Sequence, residues 1–187
     1  GNKGLLVRSL ASFANYQAKD AWTWEHQALV RARPLAGDRD LYDHFARIRR
    51  DVLCMARDPD RLRGEVREMR TKMREGLDKS GRGRFDLKQG RGGIADIEFM
   101  VQYSILRWAY RYPELAVWSD NIRLLEGLGR LDLLPGTAAA DLTEAYKALR
   151  AAYHRSALQD TPTTVADEVL LDSRERVASL WRELMEE

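Results

Sequence analysis

The densest set of side chains that could do chemistry lies in residues 85–99, FDLKQGRGGIADIEF. Lys88 and Arg91 are cationic, and Gly92 and Gly93 let the backbone approach a ligand closely, directly before a predicted helix. The first N–H groups of a helix attract anions, and nearby cations strengthen that attraction. The sequence therefore makes these four residues candidates for binding phosphate or an acidic protein side chain.

The same turn also has a purely structural interpretation. A strand that turns sharply into a helix needs glycines for its geometry, and Asp96 in the first helical turn would offset the helix dipole. The pattern matches neither a P-loop nor a dinucleotide-binding fingerprint. The residues alone leave both interpretations open.

The helix predicted over 94–110 carries two acids and an amide. At 100° per residue, Glu98 and Gln102 share one stripe of a helix that is apolar over most of its circumference. A buried carboxylate needs an arginine, a lysine, backbone donors or a metal as partner. Asp96 points to a different face from Glu98, so the two acids are not expected to chelate one ion together.

A second acid on an apolar helix face is Glu25, in the helix predicted over 21–33. The helical wheel places Glu25 among small and apolar residues, with Gln27 and Arg31 on the opposite side. An ion pair inside the bundle, with an arginine from another helix, is the interpretation favoured over direct chemistry. His26 lies beside this face and is interpreted as a structural or surface histidine.

The sequence indicates no metal site and no catalytic residue of its own. One cysteine, Cys54, and three scattered histidines lack metal-ligand spacing. Two Asp-x-Asp triplets, at 38–40 and 58–60, lie where helices begin and are interpreted as helix caps. A single cysteine excludes an internal disulfide and fits a reducing cytoplasm, which is the predicted location.

Composition bounds the class of protein. The 187 residues are 44% hydrophobic and 32% charged, with a formal net charge of +2, which is typical of a globular domain. No apolar run reaches the ~20 residues of a membrane span, and no signal peptide opens the sequence. Arginines between 47 and 70 alternate with acids, so they are interpreted as a solvated helix surface. Neither a nucleic acid nor a membrane is therefore a predicted partner.

Helical periodicity dominates the chain, and the only strand candidates are two short runs near 4–8 and 84–88. The predicted fold is all-α, an antiparallel helical bundle with at most these two strands. The remaining helices are predicted over Ser9 or Ser12 to 19, 38–55, 58–77, 119 or 120 to 127, 137–159 and 172–185.

Three segments resemble the glutamine synthetase adenylyltransferase (glutamate-ammonia-ligase adenylyltransferase) family. They are FDLKQGRGGIADIEFMVQY at 85–103, NYQAKDAWTWEHQALVRAR at 15–33 and WSDNIRLLEGLGRLDLL at 118–134. Along the chain they occur in the order that the family has, and they extend from residue 15 to residue 134, which is most of the chain. WSDN and EHQALVRAR resemble the C-terminal, adenylylating half of such enzymes.

The resemblance implies a function in the regulation of nitrogen assimilation. Enzymes of this family have two related halves: one transfers AMP from ATP to a tyrosine of glutamine synthetase, and the other removes it by phosphorolysis. The implied partners are glutamine synthetase and a PII-type signal protein. ATP and Mg²⁺ are expected in the intact enzyme, but neither is expected to bind tightly to this chain.

The family's catalytic nucleotidyltransferase domain, with a Gly-Ser turn and metal-holding aspartates, has no counterpart in this sequence. Residues 1–8 are expected to be the residual edge of that upstream domain, and 9–187 a helical bundle domain that is inactive alone. Under this hypothesis Lys88, Arg91, Gly92 and Gly93 contact the phosphates of the nucleotide. The supporting or interface residues would be Glu25, Asp96, Glu98 and Gln102. The alternative is a non-catalytic module that binds glutamine synthetase or a PII-type regulator.

Overall fold

The computed structural model describes residues 7–187, and the architecture is the predicted helical bundle. The described residues form α1 Leu10–Lys19, α2 Thr23–Arg31, α3 Arg39–Leu53, α4 Pro59–Leu77, β1 Arg84–Asp86, α5 Ile94–Trp108, a 3₁₀ helix Pro113–Ala116, α6 Asn121–Arg130, α7 Ala138–Leu158, β2 Thr164–Ala166 and α8 Leu171–Met185. None of these helices is long and apolar enough to cross a membrane.

Polar caps set the starts of several helices where the sequence predicts them. The side chains of Ser9, Asp38, Asp58 and Asp120 each accept a hydrogen bond from a first-turn N–H group of the helix that follows. Pro59 occupies the first position of α4, where no N–H donor is needed. The interpretation of both Asp-x-Asp triplets as caps is therefore confirmed.

Helix α5 forms the centre of the bundle. All of its residues except Glu98, Arg107 and Trp108 are buried, and α2, α4, α6, α7 and α8 pack around it. The apolar circumference read from the sequence requires this central position, because only a helix enclosed by neighbours can bury every face. The central placement predicted for this helix is confirmed.

The small sheet differs from the prediction. β1 covers only 84–86 of the predicted 84–88, and its antiparallel partner is β2, with Arg84 opposite Ala166 and Asp86 opposite Thr164. β2 was not predicted, because three residues are too few to show alternation. The other strand predicted, at 4–8, has residues 4–6 outside the described part of the chain, and its last two residues are not in a strand.

The prediction of a fully solvated arginine surface is wrong for four of the arginines. Arg49 and Arg70 are buried, and Arg57 and Arg63 are half-buried. Arg49 donates to the carbonyl oxygens of Leu29 (2.8 Å) and Trp118 (2.8 Å), where helical segments end. Burial lowers the pKa of Arg49, and that of Arg57 to about 10. Arg49 and Arg57 lie inward because helix C-termini leave carbonyl groups without partners.

Candidate functional site

The glycine corner, residues 87–96, connects β1 to α5. Several of its backbone N–H groups donate to carbonyl groups of the same turn. The N–H groups of Gly90, Gly93, Ile94 and Ala95 each donate to a carbonyl oxygen within residues 86–90, at 2.9–3.0 Å. The first N–H groups of a helix attract anions only when they have no other partner. These four donors are therefore already satisfied within the chain.

Gly92 and Gly93 are required by close approach of backbone to backbone. Gly92 has φ +81°, and a Cβ there would clash with the carbonyl oxygen of Arg174 in α8 and lie 2.9 Å from its carbonyl carbon. A Cβ on Gly93 would lie 2.8 Å from the Gly90 carbonyl oxygen and 2.9 Å from that of Leu87. Helix α8 therefore closes the inner side of the corner, and only glycine fits there.

Asp96 is the hub of a buried polar network. Its Oδ1 accepts from Arg70 Nε and from Arg74 Nη2, both at 2.7 Å, and its Oδ2 accepts from the Gly92 N–H at 2.7 Å. The side chains of Arg70 and Asp96 are each only 1% exposed. Arg70 also donates to the Gln89 carbonyl oxygen at 2.7 Å. One carboxylate thus joins α4, the glycine corner and α5.

The electrostatics of this network follow from its burial. Desolvation lowers the pKa of Arg70, and the Asp96 carboxylate opposes that change by favouring the charged guanidinium. Three hydrogen bonds to Asp96 satisfy a charge that would otherwise be costly to bury. Sequence reasoning missed Arg70, although its spacing of four residues from the buried Val66 places both on the inner face of α4.

Lys88 and Arg91 project from the outer side of the same corner. Both side chains are exposed, and within residues 7–187 neither forms an ion pair. The corner therefore combines a closed backbone with two accessible cations. Contact of Lys88, Arg91, Gly92 or Gly93 with phosphate stays a prediction.

Glu98 lies on another face of α5 and joins α2 to α7. It forms an ion pair with Arg31 and accepts a hydrogen bond of 3.3 Å from the Tyr146 hydroxyl. One turn later, Gln102 accepts from Gln27 Nε2 at 3.0 Å. The predicted shared stripe of Glu98 and Gln102 is therefore the face towards α2. Arg31 was not predicted as the partner of Glu98, because the helical wheel placed Arg31 opposite the face of α2 that was predicted to be buried.

The two α5 acids point apart, as the wheel predicts, and each is paired with arginine. Asp96 faces α4 and Glu98 faces α2. Across the described residues, no group of three or more histidine, cysteine or acidic side chains could hold a metal ion.

Glu25 does not form the predicted ion pair with an arginine. Its carboxylate accepts from the Tyr16 hydroxyl at 2.7 Å and from the Trp22 N–H at 2.9 Å, and the second bond is the glutamate half of a capping box. The buried face of α2 was also predicted wrongly, because Gln27 is buried and Ala28 is exposed. Position N3 of a helix lets a glutamate reach back to the cap, and that local bond decided its orientation.

His26 is a buried structural histidine. Its Nε2 lies 2.9 Å from the Gln17 carbonyl oxygen, and Arg57 lies 3.2 Å from Nδ1. Because Arg57 can only donate, Nδ1 accepts and the ring proton is on Nε2. Burial lowers the pKa of His26, so the ring is neutral at pH 7.

Comparison with known protein families matches two segments of the chain. Residues 1–48 match the family model for glutamate-ammonia ligase adenylyltransferase, and residues 66–183 match that for GlnD PII-uridylyltransferase. The second segment contains the glycine corner and all of α5 to α7. The fold and these matches define the class: a helical domain found in nucleotidyltransferases.

Curated relatives match along the whole chain. Proteins named bifunctional glutamine synthetase adenylyltransferase/adenylyl-removing enzyme are 50% identical to it in Hahella chejuensis (100% of this chain, 20% of the relative) and in Pseudomonas syringae pv. tomato (98% and 20%). The homologue of Nitrosococcus oceani is also 50% identical. The chain belongs to the glutamine synthetase adenylyltransferase family. It spans about a fifth of the length of these relatives.

Proposed function

We propose that this chain is a helical domain of an enzyme that transfers AMP from ATP to a tyrosine of glutamine synthetase in the cytoplasm and so regulates nitrogen assimilation. The observation that carries the proposal is 50% identity, along the entire chain, to relatives named bifunctional glutamine synthetase adenylyltransferase/adenylyl-removing enzyme. Within such an enzyme the chain belongs to the adenylylating half, and its role is to support a nucleotidyltransferase domain rather than to perform the transfer.

Residues 7–187, which the structure describes, do not fit a resident site for ATP and Mg²⁺. The N–H groups of the glycine corner are used internally, and Asp96 and Glu98 point apart with arginine partners. Magnesium prefers oxygen ligands that converge on one point, with several water molecules retained. We therefore assign binding of the nucleotide and its metal to the nucleotidyltransferase domain.

Lys88 and Arg91 are the residues of this chain that we propose to meet phosphate. They are exposed on the outer side of a corner whose backbone is fixed by Gly92 and Gly93, so their main-chain positions are well defined. An exposed lysine or arginine gives long-range attraction to a polyanion without a built pocket. The corner would then face the nucleotide site at the interface between the two domains.

The alternative function is recognition of a protein partner, either glutamine synthetase or a PII-type signal protein, at a surface with exposed tryptophans. Two tryptophans, Trp22 and Trp24, are 70% and 48% exposed on one side of the bundle. Exposed tryptophans are enriched at the centres of protein interfaces. Calorimetry of the isolated chain with glutamine synthetase and with a PII-type signal protein tests this alternative: binding of either protein supports it, and binding of neither contradicts it.

The proposed activity is tested in the full-length enzyme by incorporation of labelled AMP into glutamine synthetase. We expect Lys88→Ala to raise the KM for ATP by about tenfold, because a hydrogen bond to a charged group is worth about 1.5 kcal/mol, and 1.4 kcal/mol is roughly tenfold in affinity. The control is Lys147→Ala, an exposed lysine that pairs with Glu144 within α7. An unchanged KM in the Lys88 variant would discard the phosphate assignment, whereas absence of AMP transfer by the wild type would discard the function itself.

A further inference from the structure

A cleft of about 500 Å³ lies between the start of α2 and the outer face of α4. Residues 20–24 line one side, and Arg61, Glu65, Met69 and Lys72 line the other. Trp22 and Trp24 leave 70% and 48% of their surface accessible at its rim. Large exposed aromatic surface of this kind marks an interaction site rather than an ordinary solvated face. We call this feature the tryptophan cleft.

The aromatic side of the tryptophan cleft is held in place before any partner binds. The Glu25 carboxylate accepts from both the Trp22 N–H and the Tyr16 hydroxyl, and the Thr23 hydroxyl donates to Glu65 across the cleft. These bonds fix the backbone that carries both tryptophans. A fixed aromatic surface loses little conformational entropy on binding, which favours affinity.

The charges of the cleft select a partner that carries a cation. Its own cations are satisfied internally, Arg61 by Glu65 at 2.8 Å and Lys72 by Glu68 at 2.6 Å. Asp20 forms no ion pair with any described residue. A lysine or arginine from a partner can therefore pair with Asp20 and lie over a tryptophan ring.

We propose that the tryptophan cleft docks another domain of the same enzyme, through a segment that presents an apolar side chain beside a lysine or arginine. This rests on the proposed function. The chain spans about a fifth of the length of its relatives, so most of such an enzyme lies outside it. The tryptophans also fall within residues 1–48, the part that matches the adenylyltransferase family model. A docking segment in the same polypeptide has a high effective concentration, so a modest cleft suffices.

Hydrogen exchange tests the proposal in the full-length enzyme and in the isolated chain. The N–H groups of Thr23 and Trp24 have no backbone acceptor among the described residues, so they should exchange rapidly in the isolated chain. Docking should slow their exchange at least tenfold in the full-length enzyme. Fast exchange in both proteins would overturn the proposal, and so would protection that arises only after glutamine synthetase is added.

Substitutions in the tryptophan cleft test whether the slower hydrogen exchange results from docking there. Trp22→Ala combined with Trp24→Ala should restore fast exchange in the full-length enzyme, and so should Asp20→Asn, a surface change that keeps both rings. Trp118→Ala is the control, because Trp118 is also exposed but lies beside Arg123, 4.0 Å from its ring centroid. Protection retained in the double and Asp20 variants would contradict the proposal. AMP transfer is measured separately, so loss of the proposed activity does not alter this readout.

Discussion

Asp96 and Glu98 lie two residues apart on α5, yet their surroundings differ completely. Asp96 is 1% exposed and accepts from two arginines and a backbone N–H, whereas Glu98 is 15% exposed and has Arg31 and a 3.3 Å contact from Tyr146. The first joins three segments around the glycine corner, and the second joins α5 to α2 and α7 at a partly solvated position. The helix face on which a carboxylate lies therefore determines its partners and its exposure to solvent.

The comparison explains why the glycine corner resembles an anion site in sequence. A turn whose N–H group donates to a carboxylate of the same chain needs the same residue types as an anion site. It needs glycines in the turn and an acid in the first turn of the following helix. Gly92 donates to Asp96, which is the internal anion of this corner. The cations that an external phosphate would meet, Lys88 and Arg91, remain on the outside.

The largest effect is expected from Asp96→Asn, which removes the charge that two arginines share. Arg70 would keep a buried charge with only neutral acceptors, so unfolding free energy should fall by about 3–5 kcal/mol. Urea denaturation of the chain measures this. Asp172→Asn, in the exposed first turn of α8, is the control and should change stability by less than about 1 kcal/mol.

Gly92→Ala should be the next most damaging change. The new Cβ would clash with the Arg174 carbonyl group, and alanine would be held at φ +81°, so a loss of about 3 kcal/mol is expected. Gly64→Ala in α4 is the matched control, since a Cβ there meets no atom within 4 Å and should add about 0.5–1 kcal/mol. Equal effects of the two substitutions in thermal unfolding would contradict the close approach of α8.

Glu98→Gln should cost only about 1 kcal/mol, because its ion pair with Arg31 is partly solvated. The amide keeps an acceptor for the Tyr146 hydroxyl. Urea denaturation under the same conditions as for Asp96→Asn gives the direct comparison. A decrease in unfolding free energy as large as that of the Asp96 variant would contradict the difference between the two faces of α5.

The smallest effect concerns His26 and pH. Burial holds the pKa of His26 below its ordinary value of 6.5, so the unfolded chain binds this proton first as the pH falls. Stability should therefore decrease below about pH 6.5 and level off below the folded pKa. His26→Gln should reduce this dependence, whereas His154→Gln, at an exposed site, should preserve it.

Local signals in the sequence predicted the helices well. The partners of side chains that are far apart in the sequence were not predicted. Caps such as Asp38 and Asp58 act on residues within one turn, so helix starts could be read directly. The wheel of α5 succeeded because a central helix is apolar nearly all round. It failed for α2, where Gln27 is buried through a bond to Gln102, 75 residues away. Arg70 was missed for the same reason.

The central claim is that this chain supports AMP transfer without performing it. Its most direct test is incorporation of labelled AMP from ATP into glutamine synthetase, by the full-length enzyme and by the chain of 187 residues alone. The account predicts labelling by the full-length enzyme and none by the chain. Labelling of glutamine synthetase by the chain alone would contradict it.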